Sequence, residues 1–422
     1  MKYFIFTTGC RSNQYDSWVI GEKLKKIGCQ AERAEEAEII IVNACTVTES
    51  AERDAKRLIS RIRRAKSGVK IILTGCHPQV YPQKNFGSDL VLGQKERFDI
   101  TSYLDKEGIF VSELDDYLLE RLPSDFGLTD KTRFFLKIQD GCDMYCTYCV
   151  VPYARGRPRS RPLDEILRFM AELKKRGVKE VVLSGIEIAS YRDPESGIDL
   201  KGLLRILEVS ETPERIRLSS CDPLYIDSEF ITILESSRKL ARSIHIPLQS
   251  GSDSVLERMG RKYKSGHIKE ILGELKRKIP NIGIGLDVIA GFPGETESEF
   301  TETLRFIEAL DVYYLHVFPF SPRENTEASK MPNLVDEKIK KERVRVLKEL
   351  DRRMRLRFYM KHLGLRLEIL PEKKIYRGHY MKGLSDNYIP VLIPYEGRLV
   401  NEFTYVVPKE IKEGKLIGVG IT

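Results

Sequence analysis

The sequence predicts an α/β protein that ends in a small all-β unit. We place a parallel α/β domain over residues 1–115, an open (β/α)6 partial barrel over 128–358, and a C-terminal antiparallel β-barrel over 359–422. Apolar strand-like runs alternate with helical stretches as far as Phe318, the pattern of parallel sheets covered on both faces. After Gly364 the strand-like pieces Arg366–Leu370, Tyr388–Ile393, Thr404–Val407 and Leu416–Ile421 are short and closely punctuated by turn residues, as in a small antiparallel barrel. A chain of 422 residues has room for such a division, at roughly 100–200 residues per domain.

In the first domain Lys2–Phe6, Glu38–Asn43 and Val69–Thr74 read as strands. Asp16–Ile27 and Thr48–Ala65 read as the helices between them. A cysteine follows each strand within a few residues: Cys10, Cys45 and Cys76. Parallel strands of an open α/β sheet bring their carboxyl ends to one edge, where ligands bind. The three thiols should therefore meet in space, which suggests an iron–sulfur cluster with one open iron. Cys29 and Cys221 stand outside any such set.

The barrel is predicted from six strand-like runs: Phe134–Ile138, Glu180–Leu183, Arg215–Leu218, Ser243–Leu248, Ile282–Ile289 and Tyr313–Phe318. Helical runs such as Leu163–Arg176, Ser265–Lys278 and Ser298–Leu310 intervene. Such βα units with right-handed crossovers close into a barrel whose active site lies at the carboxyl face. Directly after the first strand comes Asp140-Gly-Cys-Asp-Met-Tyr-Cys-Thr-Tyr-Cys149, a C-x3-C-x2-C run of Cys142, Cys146 and Cys149. Three thiolates on one loop can hold three irons of a [4Fe–4S] cube and leave the fourth open to a small molecule. Zinc usually takes four closed ligands, or three plus water with histidine present, and no histidine lies nearby.

Other strand ends carry candidate ligand contacts: Gly185 and Glu187, Gln249, and Asp287. Pro152-Tyr-Ala-Arg-Gly-Arg-Pro-Arg-Ser-Arg161 follows the cysteine loop. Its Arg155, Arg157, Arg159 and Arg161 suit phosphate oxygens, or could lock the barrel to the first domain. Asp336–Lys361 reads as a helix with eleven Lys/Arg against five Asp/Glu, a solvated face or a nucleic-acid surface. In the last domain Lys373, Lys374, Arg377, Tyr380, Asn387, Tyr388 and Arg398 mix charge with aromatics, as RNA-binding surfaces do.

Composition narrows the class. Eight cysteines in this length do not make a disulfide scaffold. No apolar run approaches the roughly 20 residues of a membrane span, and the N-terminus runs straight into a strand and helix, so a cytoplasmic protein is expected. The net charge of +8 has the sign expected of a partner rich in phosphate.

The cysteine loop resembles the signature of the radical S-adenosylmethionine (SAM) enzymes. That resemblance implies SAM on the open iron, Tyr148 near the adenine, and Ser184-Gly-Ile-Glu187 near the methionyl amine. Thr8-Gly-Cys-Arg-Ser-Asn-Gln-Tyr-Asp-Ser17, Val42-Asn-Ala-Cys-Thr-Val-Thr48 and Thr74-Gly-Cys-His-Pro-Gln79 resemble the N-terminal domain of the methylthiotransferases, which replace C–H by C–SCH3. Gly383-Leu-Ser-Asp-Asn-Tyr-Ile389 resembles the TRAM domain, an RNA-binding β-barrel. The resemblance implies two [4Fe–4S] clusters, one cleaving SAM and one supplying sulfur. It also implies a sulfur donor, and an electron donor of the reduced flavodoxin or ferredoxin type. Leu136–Cys142, Val151–Gly156, Arg217–Ser220 and His316–Arg323 are most similar to the tRNA threonylcarbamoyladenosine methylthiotransferases, which act at C2 of adenosine 37. The alternatives are a sister enzyme acting on isopentenyladenosine tRNA or on a ribosomal protein and, more distantly, a non-enzymatic metal-stabilised RNA-binding protein.

Overall fold

The structure, a computed structural model, describes residues 1–114, 118–128 and 132–421. The expected end of the first domain, residue 115, lies outside them.

The first unit is a six-stranded parallel sheet. Its strands are β1 (Lys2–Thr7), β2 (Cys29–Gln30), β3 (Ile39–Ala44), β4 (Lys70–Gly75), β5 (Leu90–Leu92) and β6 (Gly108–Phe110). They lie in the order β2-β1-β3-β4-β5-β6. The three expected strands form its centre, and the three additional ones are too short to show a periodicity. Helix α1 (Arg11–Leu24) covers one face, with Tyr15, Val19 and Ile20 in the same core as Ile41 and Ile72. Helix α2 (Glu49–Ala65) covers the other, burying Ala55, Leu58, Ile59 and Ile62 with Ile40, Val42, Ile71 and Leu73. Thr48 caps α2 by accepting from the Ala51 N–H at 3.3 Å. A short helix, α3 (Cys76–Val80), opens at the third cysteine.

All six expected barrel strands form. They are β7 (Arg133–Lys137), β10 (Glu180–Ser184), β11 (Arg215–Leu218), β12 (Ser243–Gln249), β13 (Gly283–Ala290) and β14 (Tyr314–Pro319). A two-residue pair, β8 (Gln139–Asp140) and β9 (Arg159–Ser160), brackets the cysteine loop and α4 (Val151–Arg155). The outer helices are α5 (Leu163–Lys175), α6 (Leu200–Val209), α7 (Ser228–Ser236), α8 (Asp253–Arg258), α9 (Ser265–Lys278) and α10 (Glu297–Ala309). The strands form two parallel triplets, β7-β10-β11 and β12-β13-β14. Single bridges, Ile216 to Leu240 and Ser220 to His245, join the triplets. Among the described residues no pairing joins β14 to β7, so the barrel is open.

The long helix α11 (Glu337–His362) leads to the closed C-terminal barrel. Its strands are β15 (Leu367–Tyr376), β16 (Tyr380–Ser385), β17 (Pro390–Pro394), β18 (Thr404–Lys412) and β19 (Lys415–Ile421), ordered β15-β16-β17-β19-β18. The sequence reading missed β16 and expected every pair to be antiparallel. β17 and β19 run parallel, because a closed ring of five strands cannot alternate direction throughout.

The first unit and the central barrel share one apolar core. Trp18 of α1 packs its ring edge-on to Phe134 of β7 at 4.9 Å and to Phe126 at 5.8 Å. Edge-to-face contacts of this kind fix orientation as well as burying area, so α1 holds the two cysteine-bearing faces in a set relation.

Candidate active site

Cys10 caps the start of α1, Cys45 follows β3 and Cys76 opens α3. The three thiols are brought together. Burial pushes the Cys45 thiol up to about 12, with Cys76 and Cys10 adding to the rise. Burial likewise raises the Cys76 thiol, with Arg155 opposing and Cys10 adding. Gly9 leaves the room: a Cβ there would lie 2.7 Å from Cys45 Sγ.

Cys142, Cys146 and Cys149 form the second group on the loop after β8. Burial raises the Cys142 thiol to about 11 and the Cys149 thiol to about 12, and their neighbouring thiols add to both shifts. The loop is fixed at both ends. Cys142 N–H donates to the Gly156 carbonyl at 3.0 Å, and Thr147 N–H donates to the Met259 carbonyl at 3.1 Å. Arg261, paired with Asp222 at 2.7 Å, donates from Nη1 to Cys146 Sγ at 3.2 Å.

Between the two groups lies a buried charge network. Asp16 pairs with Arg97 (2.8 Å), Lys137 (2.6 Å) and Arg155 (3.0 Å). Asp140 pairs with Lys137 (3.1 Å), Arg155 (3.1 Å) and Arg159 (3.2 Å). Burial works against ionisation of Asp140, but Arg155, Lys137 and Arg159 hold its carboxyl well below the usual carboxylate range. Arg155 also donates from Nε to Cys76 Sγ at 3.1 Å. Two triads of soft sulfur donors, each with an arginine on a sulfur, fit iron–sulfur groups. Buried Arg97 adds to the fit at the first triad. Its Nε and Nη1 have no hydrogen-bond partner among the described residues, and its charge is felt by Cys76, so an anionic group there would complete it.

The network corrects part of the phosphate-contact reading. Arg155 and Arg161 are fully buried. Arg161 pairs with Glu120 at 3.4 Å and Glu165 at 3.0 Å, and Arg159 turns inward to Asp140. Arg155, through Asp16 and Cys76, and Arg161, through the Tyr15 hydroxyl at 3.1 Å, lock the barrel to the first domain. Arg157 is exposed, as are Lys373, Lys374, Arg377 and Arg398. Arg377 pairs with Glu413, and Arg398 pairs with Glu396 at 2.9 Å. Asn387 and Tyr388 are not on an RNA-facing surface either. Asn387 is buried, and Tyr388 stacks on Tyr314 of β14 at 5.7 Å. Much of the basic charge of α11 is spent internally, for example Arg343 on Glu295 at 2.7 Å and Arg355 on Asp351 at 2.9 Å.

Gly185 and Glu187 follow β10 and Gln249 ends β12, whereas Asp287, expected at a strand end, lies in the interior of β13. Gly185 packs against Gln139, which accepts from the Glu187 N–H at 2.9 Å. Burial, then Asp222, raises the Glu187 carboxyl to about 7. Gln249 holds a left-handed φ of 68°, a conformation costly for a side-chain-bearing residue. Tyr148 lies edge-on to Phe292 at 6.5 Å. Asp287 is engaged by His245 Nε2 at 2.8 Å and His316 Nδ1 at 3.4 Å. Burial opposes its ionisation, but the two imidazoles hold its carboxyl at about 2. The sequence reading did not single out Arg97, Lys137, Arg261 or the two histidines as a set. Of these only Lys137 sits at a strand end; the others come from a helix, a loop and strand interiors, where no local pattern marks them.

An open βα barrel with a three-cysteine loop at its carboxyl face defines a radical SAM enzyme. The Radical SAM superfamily matches residues 136–307, and a family described as Uncharacterized protein family UPF0004 matches residues 2–93. The chain is 37% identical to the threonylcarbamoyladenosine tRNA methylthiotransferase MtaB of Thermotoga maritima, over 98% of this chain and 95% of that one. It is 36% identical to the Bacillus subtilis protein of the same name, over 92% and 89%. It is 35% identical to the tRNA-2-methylthio-N(6)-dimethylallyladenosine synthase of Alkaliphilus oremlandii, over 88% and 82%. The solved structure of the radical SAM methyltransferase TsrM from Kitasatospora setae shares the fold. Its TM-score is 0.56 at 17% identity, over 78% of this chain and 77% of that one. The chain belongs to the tRNA methylthiotransferase family of radical SAM enzymes. It uses SAM and a [4Fe–4S] cluster, and no helix among the described residues is long and apolar enough to cross a membrane.

Proposed function

We propose that this enzyme inserts a methylthio group at C2 of N6-threonylcarbamoyladenosine at position 37 of tRNA, with two [4Fe–4S] clusters. The Arg155 bridge carries the two-cluster reading, since one buried guanidinium contacts Cys76 and the carboxylate two residues before Cys142. The substrate rests on the relatives named for threonylcarbamoyladenosine, whose likeness extends through the C-terminal barrel.

When bound, the groups supply one-electron cleavage of SAM at one triad and sulfur at the other. Cys142, Cys146 and Cys149 hold the first, and Cys10, Cys45 and Cys76 hold the second. Arg261 and Arg155 direct positive charge at the sulfurs. Tyr148, Gly185, Glu187 and Gln249 line the SAM side, and Asp287 acts there through its histidines. Arg157, Lys373, Lys374, Arg377 and Arg398 meet the tRNA backbone. The reaction needs a sulfur donor and a one-electron donor of the flavodoxin or ferredoxin type, and it takes place in the cytoplasm, with the tRNA.

Iron quantitation of anaerobic protein tests the clusters. The intact chain should hold about eight irons, four per cluster. Cys10→Ala, Cys45→Ala or Cys76→Ala should halve that and abolish methylthio product, while zinc in place of iron would sink the reading. Mass spectrometry of tRNA from a deletion strain tests the substrate. The methylthio-threonylcarbamoyl nucleoside should vanish. Its persistence, with loss of the dimethylallyl product instead, favours the sister activity.

A further inference from the structure

The interior of the central barrel can be read from strand alternation. Ile244, Ile246, Leu286, Val288 and Leu315 are buried in the core shared with the helices. Their alternates His245, Asp287 and His316 therefore face the lumen, and β13 and β14 pair Asp287 directly with His316. Tyr314, two residues before His316, shares that face, and its hydroxyl contacts His245 Nδ1 at 3.1 Å. The lumen is entered from two sides. Tyr388 comes from the turn between β16 and β17 and stacks on Tyr314. Arg11 comes from the start of α1, one residue after Cys10. Its Nη2 donates to the Tyr388 hydroxyl at 3.1 Å, and its guanidinium lies 5.8 Å from the centre of the Phe135 ring.

We propose that Arg11 is the receptor for the carboxylate at the end of the N6 arm of the target adenosine. Arg11 is half-buried and has no acidic partner among the described residues. A guanidinium drawn from water without an anion is left with unspent donors, and its planar fork matches a carboxylate. The lumenal carboxylate of Asp287 is not available to it, because His245 and His316 already hold it. His316, 49% exposed, and Phe318, 38% exposed, offer a polar edge and an apolar ring on the same strand face. A threonylcarbamoyl arm brings one carboxylate, whereas a dimethylallyl arm would bury Arg11 unpaired, which is costly. The inference rests on the threonylcarbamoyladenosine reading and names the residue that would enforce it.

The test uses full-length, cluster-loaded enzyme and hairpin RNAs whose adenosine 37 carries threonylcarbamoyl, its methyl ester, or dimethylallyl. The intact enzyme should prefer the free acid over the ester by about tenfold in kcat/KM, the worth of one charge-assisted hydrogen bond. Arg11→Gln should raise KM for the acid to the ester's level, and Arg11→Lys should recover part of the preference. An intact enzyme that turns over acid and ester alike overturns the inference without any variant having to fold. So does Arg11→Gln with its preference undiminished. Turnover of the dimethylallyl hairpin and not the acid would overturn the substrate reading itself.

Discussion

The guanidinium of Arg155 donates from Nε to Cys76 Sγ at 3.1 Å and pairs through Nη1 with Asp140 at 3.1 Å. One fully buried side chain thus links a thiol of the first group to the carboxylate two residues before the second. Arg155→Ala would leave Asp16 and Asp140 each one positive partner short inside the core. Breaking a buried pair in this way costs about 3–5 kcal/mol, so thermal unfolding should show a marked loss. Arg155→Lys keeps the charge but cannot reach Cys76, Asp16 and Asp140 from one planar fork. The expected result is a folded protein with the iron of the Cys142 group retained and methylthio product sharply reduced. Product equal to wild type in a loaded Arg155→Lys enzyme would remove the bridge from the mechanism.

Which features were legible follows from what local sequence can encode. The six barrel strands and both cysteine groups could be read because apolar runs and strand ends are local patterns. The strands β2, β5 and β6 could not, being two or three residues long. β16 was missed for a different reason. Its Gly383 reads as a turn, yet it is paired mid-strand, and it is glycine because a Cβ would lie 2.4 Å from Ile369 Cδ1. The inward turn of Arg155, Arg159 and Arg161 was hidden for a third reason. Their partners Asp16 and Glu120 are distant in sequence, and a run of arginines looks the same whether it faces phosphate or buried carboxylates.

Tyr388 ties the last domain to the barrel. The turn that carries it meets the amino end of β13, where a Cβ on Gly283 would lie 1.9 Å from the Asn387 carbonyl oxygen. Arg217 donates to the Asp386 and Ser385 carbonyls at 2.9 and 3.0 Å. The C-terminal barrel is therefore part of the floor of the lumen. Tyr388→Ala should lower thermal stability by about 2–4 kcal/mol through the lost ring. Tyr388→Phe keeps the stack on Tyr314 and removes only the hydroxyl that holds Arg11. It should retain stability and raise KM for the modified hairpin. Unchanged melting in Tyr388→Ala would deny the turn its role as floor.

Glu187 gives a pH dependence of defined sign. Burial and then Asp222 raise its carboxyl from 4.5 to about 7. A raised acid binds its proton in the folded state over a range where the unfolded chain has released it, so stability falls as pH rises from about 4.5 to 7. An anionic cluster held by Cys142 and its companions would push the same way. Glu187→Gln removes the titration, so its melting temperature should exceed that of the parent at pH 8 and converge with it near pH 5. A parent that gains on the variant with rising pH would reverse the assignment.

Gly141 separates the geometry of the cysteine loop from general stability. Its φ is 78°, and a Cβ there would lie 2.0 Å from the Arg157 carbonyl oxygen. The loop before Cys142 can pass the α4–β9 connection only without a side chain. Gly68 has nearly the same φ, 76°, with nothing within 4 Å of a Cβ. Alanine at either position pays the left-handed penalty of about 1–2 kcal/mol, but only at Gly141 must backbone move. Gly141→Ala should therefore lose the iron of the Cys142 group, about half the total, and with it reductive cleavage of SAM. Gly68→Ala should melt slightly earlier and keep its full iron. Equal iron in the two variants would mean that the loop can reach its cluster geometry by another path.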